Sequence, residues 1–122
     1  MTTPREAVAR RRAQRDTLLG LARSYVDELP DDIELRAAVV AGPVARGDFH
    51  DPSDVDVVVV ADRLPADAAQ RWLRVAPGRG VVQPAAWTPR EWRKARRRDN
   101  PLAVDALDHG VWLAGRLFEA LR

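Results

Sequence analysis

Leu18, Leu21, Ala22, Tyr25 and Leu29 recur at helical spacing and Pro30 closes the series, which predicts one long helix over about 4–29. Its start is written in Thr3-Pro4-Arg5-Glu6: threonine as cap, proline at the first helical position, and glutamate where it closes a capping box. Ile33, Leu35, Ala37 and Val39 then alternate with polar or small residues, so the period changes to two and predicts a strand ending at Gly42. A helical turn is expected over about 43–49, followed by a loop at His50-Asp51-Pro52-Ser53. Asp54 to Ala61 reads as the second strand, and the unbroken valines from Val57 to Val60 predict burial on both of its faces. Leu64 to Val75 reads as a helix closed by Pro77-Gly78. Val81 to Trp87 reads as a third strand, in which Pro84 lacks a ladder donor and predicts an edge or an interruption. Thr88-Pro89-Arg90-Glu91 repeats the opening cap and begins another helix. Asn100-Pro101 begins one more, to about His109, with Gly110 as its stop. Residues 111–122 are apolar enough to dock as a short strand, a helix or one of each.

This order predicts an α/β (α+β) fold: a small mixed β-sheet with helices packed on it. A chain of 122 residues supports one core, so a single domain over 1–122 is expected, with a helical segment 4–29 ahead of a core 33–113. With 46% hydrophobic and 31% charged residues it falls among soluble globular chains. No apolar run approaches the ~20 residues of a membrane span. The N-terminus lacks the apolar centre of a secretory signal, and the absence of cysteine excludes disulfides and thiolate metal sites. Both features suit a cytoplasmic protein.

The formal net charge is only +2, but the cations are uneven. Arg10, Arg11, Arg12 and Arg15 cluster early; Arg90, Arg93, Lys94, Arg96, Arg97 and Arg98 cluster late. Such runs read either as a patch for RNA or another polyanion, or as solvated helix faces in an Arg-rich chain. Aromatic residues are not interleaved with them in the way a single-strand stacking platform requires.

The chemistry concentrates in GPVARGDFHDPSDVD, residues 42–56. Alternation puts Asp54 and Asp56 on one face of a strand, ~7 Å apart along the chain. Two carboxylates that close repel each other unless a cation lies between them, and hard oxygen ligands suit Mg²⁺. The plain structural alternative is that Asp54 only starts the strand while Asp56 is exposed at its end. Gly42 adds to the metal reading, because it ends one strand and opens a helical turn whose free N–H groups face anions. Arg46 brings a cation able to pair with phosphate oxygens.

In spacing and composition this stretch resembles the pattern G-S-x10-D-x-D, with A-R-G after its first residues, of the minimal nucleotidyltransferases of the DNA polymerase β-type superfamily. Gly42, the ten residues 44–53, Asp54-Val55-Asp56, Ala45-Arg46-Gly47 and Ser53 all fit it. Further on, VVQPAAWTPREW and NPLAVDALDHGVWL resemble a V-E-P…Y-T-P-E-E-F and N-P…A-L-E-x-G-I-x-L-Y continuation of some members, so the likeness covers about residues 30–115. The resemblance implies the polymerase β-type fold and Asp54 and Asp56 as metal-holding catalytic acids. It implies Gly42, Arg46, Gly47 and Ser53 as the nucleotide and phosphate contacts. One or two Mg²⁺ and a nucleoside triphosphate, with ATP and transfer of AMP expected, would serve transfer to a hydroxyl. It also implies a protein acceptor on a separate chain, such as a HEPN-type toxin for which this chain would be the antitoxin. A homo-oligomer is compatible with it.

Two positions depart from the pattern. Pro43 stands where the family has serine and offers neither a hydroxyl nor an N–H to phosphate, although it suits a first helical turn. Gln83 stands at the third-acid position and cannot act as a general base. The departures open a second reading: a degenerate homologue, weakly active or inactive, that binds a nucleotide or a partner. A third is an RNA-binding adaptor. Of the remaining residues, His50 reads as a surface loop histidine with a secondary option of orienting phosphate or acceptor. Asp51 reads as a loop cap and His109 as a helix C-terminal residue. Trp72, Trp87, Trp92 and Trp112 read as core or partner-facing.

Overall fold

The structure is a computed structural model and describes residues 2–49, 54–78 and 80–115. Helix α1 spans Pro4–Asp27 and opens with the full capping box: Thr3 accepts from the Glu6 N–H and Glu6 accepts from the Thr3 N–H. Residues 4–13 are exposed along their whole length, and only from Leu18 onward does the helix bury a stripe, led by Ala22, Tyr25 and Val26. A 3₁₀ turn over Asp31–Ile33 follows, and Glu34 at φ 55° breaks the chain direction there, so the first strand begins at Leu35 and not at Ile33 as its alternation predicts. Ile33 is nonetheless fully buried, as its apolar side chain requires.

Strand β1 (Leu35–Ala41) leads into a short helix α2 (Gly42–Arg46), and β2 (Val55–Ala61) returns antiparallel to β1. Helix α3 covers Ala68–Val75, shorter at its start than the expected 64–75. Pro65 carries no N–H to give, its carbonyl is taken by Arg71 Nε at 2.7 Å, and Asp67 caps the helix by accepting from the Gln70 N–H at 2.9 Å. Strand β3 (Val82–Trp87) pairs parallel with β2 across this helical crossover. It is the edge that Pro84 demands. Helices α4 (Pro89–Arg97) and α5 (Pro101–His109) start at the predicted Thr88 and Asn100 caps, and β4 (Val111–Ala114) closes the order β3-β2-β1-β4. Of the alternatives for the tail, the strand is realised over 111–114; residues 116–122 lie outside the described residues.

Burial on both faces of β1 and β2 divides the core in two. Val40, Val57 and Val59 face α1 and α3, where the Tyr25 hydroxyl donates to the Val75 carbonyl at 2.5 Å. Val39, Val58 and Val60 face α4 and α5 under Trp92, Ala103 and Ala106. Trp92 packs 6.1 Å from Trp87 and edge-on to Trp112 at 6.5 Å, so three of the four tryptophans form one cluster; Trp72 is 49% exposed. This is a mixed four-stranded sheet between two helical layers.

Candidate active site at the aspartate end of the sheet

The C-terminal end of β1 and the N-terminal end of β2 meet where Ala41 pairs with Asp56. Asp56 shares strand parity with Val58 and Val60 and therefore lies on the α5 side of the sheet, half-buried. Asp54 stands exposed, one residue before the strand. Gly42 has φ +72°, and a Cβ there would overlap the Asp56 carboxylate. Glycine is thus required twice, by the backbone and by the side chain that lies against it.

Burial, then the charges of Asp54 and Asp105, raise the Asp56 pKa above the ordinary carboxylate value, while Arg46 acts in the opposite sense. Asp54, Asp105 and Arg46 are thus the charged groups that act on Asp56. Asp105 was not legible as a site residue. It arrives on α5, and its carboxylate accepts from Arg46 Nη1. The only hint in the sequence is its place in α5 between the core positions Ala103 and Ala106, which sends a polar neighbour to the flank of the helix. Asp48 accepts from Arg46 Nε at 3.3 Å. Arg46 is therefore not a free cation awaiting phosphate; two of its five donors are engaged, and the rest of the fork is available for further bonds.

Pro43 sits in the first turn of α2, where its missing N–H leaves no gap in the helix. Its carbonyl accepts from Gly47 and Asp48, and the Val44 carbonyl also accepts from Gly47, which forms a Schellman closure around Gly47 at φ 83°. Gly47 is thus fixed by the helix stop, and it borders a groove along α1 with Ala7, Val8, Arg11 and Arg12. Arg15 belongs to the same closure: its Nε and Nη2 donate to the Val44 and Ala45 carbonyls at 2.9 Å each. Arg11 lies 5.8 Å over the Phe49 ring. With Arg10 Nη2 donating to the Thr2 hydroxyl at 3.5 Å, three cations of the early cluster have structural partners.

Gln83 lies in register with Asp56 on the neighbouring strand and is exposed. Glu91 is not in this site; its Oε1 accepts from the Thr88 N–H at 2.8 Å and from Arg71 at 2.7 Å. Among the described residues no three acidic or histidine side chains are grouped to hold a metal by themselves. Ser53, His50 and Asp51 lie outside the described residues. His109 ends α5, exposed. No described helix is long and apolar enough to cross a membrane.

No family model matches the chain, and no curated protein does. A solved structure, that of a candidate nucleotidyltransferase from Sulfolobus solfataricus, is similar with a TM-score of 0.65 and 22% identity, over 87% of this chain and 87% of that one. That likeness shows a nucleotidyltransferase-like fold.

Proposed function

We propose that the aspartate end of the sheet is a nucleotidyl-transfer site. It takes a nucleoside triphosphate, with ATP as the expected donor, and passes the nucleoside monophosphate to a hydroxyl of a protein or other acceptor. The observation that carries this reading is the Asp56 carboxylate, held against Gly42 within the field of Asp54 and Asp105, where burial and like charge raise its pKa and a cation would act in the opposite sense. The likeness in fold to a candidate nucleotidyltransferase supports it.

Mg²⁺ suits this donor set, since it needs only one or two protein carboxylates and completes its shell with water and phosphate. Asp54 and Asp56 would hold it, and when bound it neutralises charge on the triphosphate. The chain's own residues do the rest. Gly42 leaves room for the Asp56 carboxylate, and Arg46, oriented by Asp48 and Asp105, turns its remaining donors to phosphate oxygens. The acceptor oxygen bonds to the α-phosphorus, pyrophosphate leaves, and the acceptor proton passes to water because Gln83 cannot take it. Transfer is accordingly slow. A HEPN-type toxin on a separate chain is one protein acceptor, and this chain would then be its antitoxin.

Gln83 opposite Asp56 favours a second reading, in which the site binds nucleotide or a partner with little or no turnover. Incubation with α-labelled ATP, Mg²⁺ and host lysate separates the two. Label on an acceptor with the wild type and none with Asp54→Ala/Asp56→Ala supports transfer. Aspartate-dependent nucleotide binding without label supports the binder. Failure to bind any of the four nucleotides contradicts both.

A further inference from the structure

The face of α4 turned away from the core is a row of cations. Arg90, Lys94 and Arg97 follow i, i+4, i+7 spacing and stand one above another on successive turns, and Arg98 continues the row past the helix end. All four are exposed, and among the described residues none has a side-chain hydrogen bond or ion pair. The acid of this helix, Glu91, is already taken by the Thr88 cap and Arg71. Interaction with the helix dipole explains only part of the row. Lys94 and Arg97 suit the C-terminal turn, but Arg90 lies in the first turn, where a cation is disfavoured, and like charges four apart repel.

On its opposite face the helix is fixed by Trp92, buried between Trp87 and Trp112 and packed with Val58 and Val60. Those valines share the face of β2 that carries Asp56, so the cation row is mounted rigidly on the same side of the sheet as the aspartate site.

We propose that this row docks the phosphate backbone of an RNA strand, which makes RNA the acceptor class for the aspartate site; the acceptor role rests on the nucleotidyl-transfer reading. Cations on successive helical turns with no apolar or aromatic side chain among them match a repeating phosphate chain. A protein partner would need a buried aromatic or apolar anchor, which this row lacks. RNA is favoured over DNA by the chemistry of transfer, since each nucleotide carries a 2′-hydroxyl. With no ring to stack on, recognition is independent of sequence and driven by counterion release.

The test is fluorescence anisotropy of labelled single-stranded RNA between about 50 and 200 mM salt. The proteins are the wild type, Lys94→Gln/Arg97→Gln/Arg98→Gln, and an Arg5→Gln/Arg10→Gln/Arg12→Gln variant of α1. Circular dichroism checks folding, and single Arg97→Gln serves if the triple variant is unstable. We expect salt-sensitive binding by the wild type, and a log–log salt slope reduced by about two in the α4 variant. Affinity should fall about tenfold in the α4 variant, with a smaller loss in the α1 variant. Binding carried by the α1 cations, no salt-dependent binding, or equal competition by polyglutamate overturns the proposal. The assay contains neither nucleotide nor Mg²⁺, so failure of the transfer reading leaves its result standing, and failure of the dock leaves transfer to be judged separately.

Discussion

The Asp56 carboxylate occupies space that a Cβ at position 42 would need, which ties the glycine that opens α2 to the acid that opens β2. A raised Asp56 pKa means that the folded protein holds this proton more tightly than the unfolded chain. The associated stability is full below the unfolded value and is lost as pH rises through the folded one. We predict that, without divalent cations, the Tm component from Asp56 declines across that titration, and that Asp56→Asn removes the decline. Mg²⁺ favours the ionised form and should raise the wild-type Tm most at the upper end of the same range; thermal melts with and without Mg²⁺ read both effects. Gln83→Glu places a carboxylate on the strand position paired with Asp56. It should raise the transfer rate, by up to about 10²-fold if the new acid serves as general base, and lower the Tm of the metal-free protein. The spacing of Gly42, Asp54 and Asp56 and the place of Gln83 were legible in the sequence. Asp105 was not, because its meeting with Arg46 depends on how α5 crosses the sheet, which no local pattern encodes.

At the scale of elements, caps were the most legible features, since each needs only three or four neighbouring residues. Thr3, Thr88 and Asn100 all accept the N–H bonds expected of them. The beginning of α3 was misplaced because Pro65 and Asp67 make contacts that compete with helix. Arg71 then binds the Pro65 carbonyl, the Ala86 carbonyl and Glu91, linking α3 to the end of β3 and the start of α4. Arg71→Ala should cost about 2 kcal/mol or more, since it leaves part-buried acceptors without a charged donor. Burial raises the Glu91 pKa, but the Thr88 N–H and Arg71 outweigh it and the net direction is downward. A lowered carboxylate contributes stability above its unfolded value and loses it as pH falls through the folded one. The gap in Tm between wild type and Arg71→Ala should therefore narrow in acid, which a melt series across pH will show.

Over the whole molecule, the valine run of β2 anticipated a sheet covered on both faces, and Pro84 anticipated the edge strand. The division of the helices between the faces was not readable, because it is set by which side chains of β1 and β2 each helix covers. That division gives the site its character: α5 brings Asp105 over the aspartate end, and α4 shares that side behind Trp92. Trp92→Ala should lose about 3–5 kcal/mol, as expected for emptying a buried aromatic site, and thermal or urea unfolding will measure it. The central claim is that Asp54 and Asp56 bind nucleotide through a divalent cation. Its most direct test is equilibrium binding of ATP by titration calorimetry, with Mg²⁺ or with chelator, to the wild type and to Asp54→Asn/Asp56→Asn. We predict wild-type binding that weakens at least tenfold on chelation, and a double variant indifferent to Mg²⁺. Equal affinity in all four titrations would contradict the account.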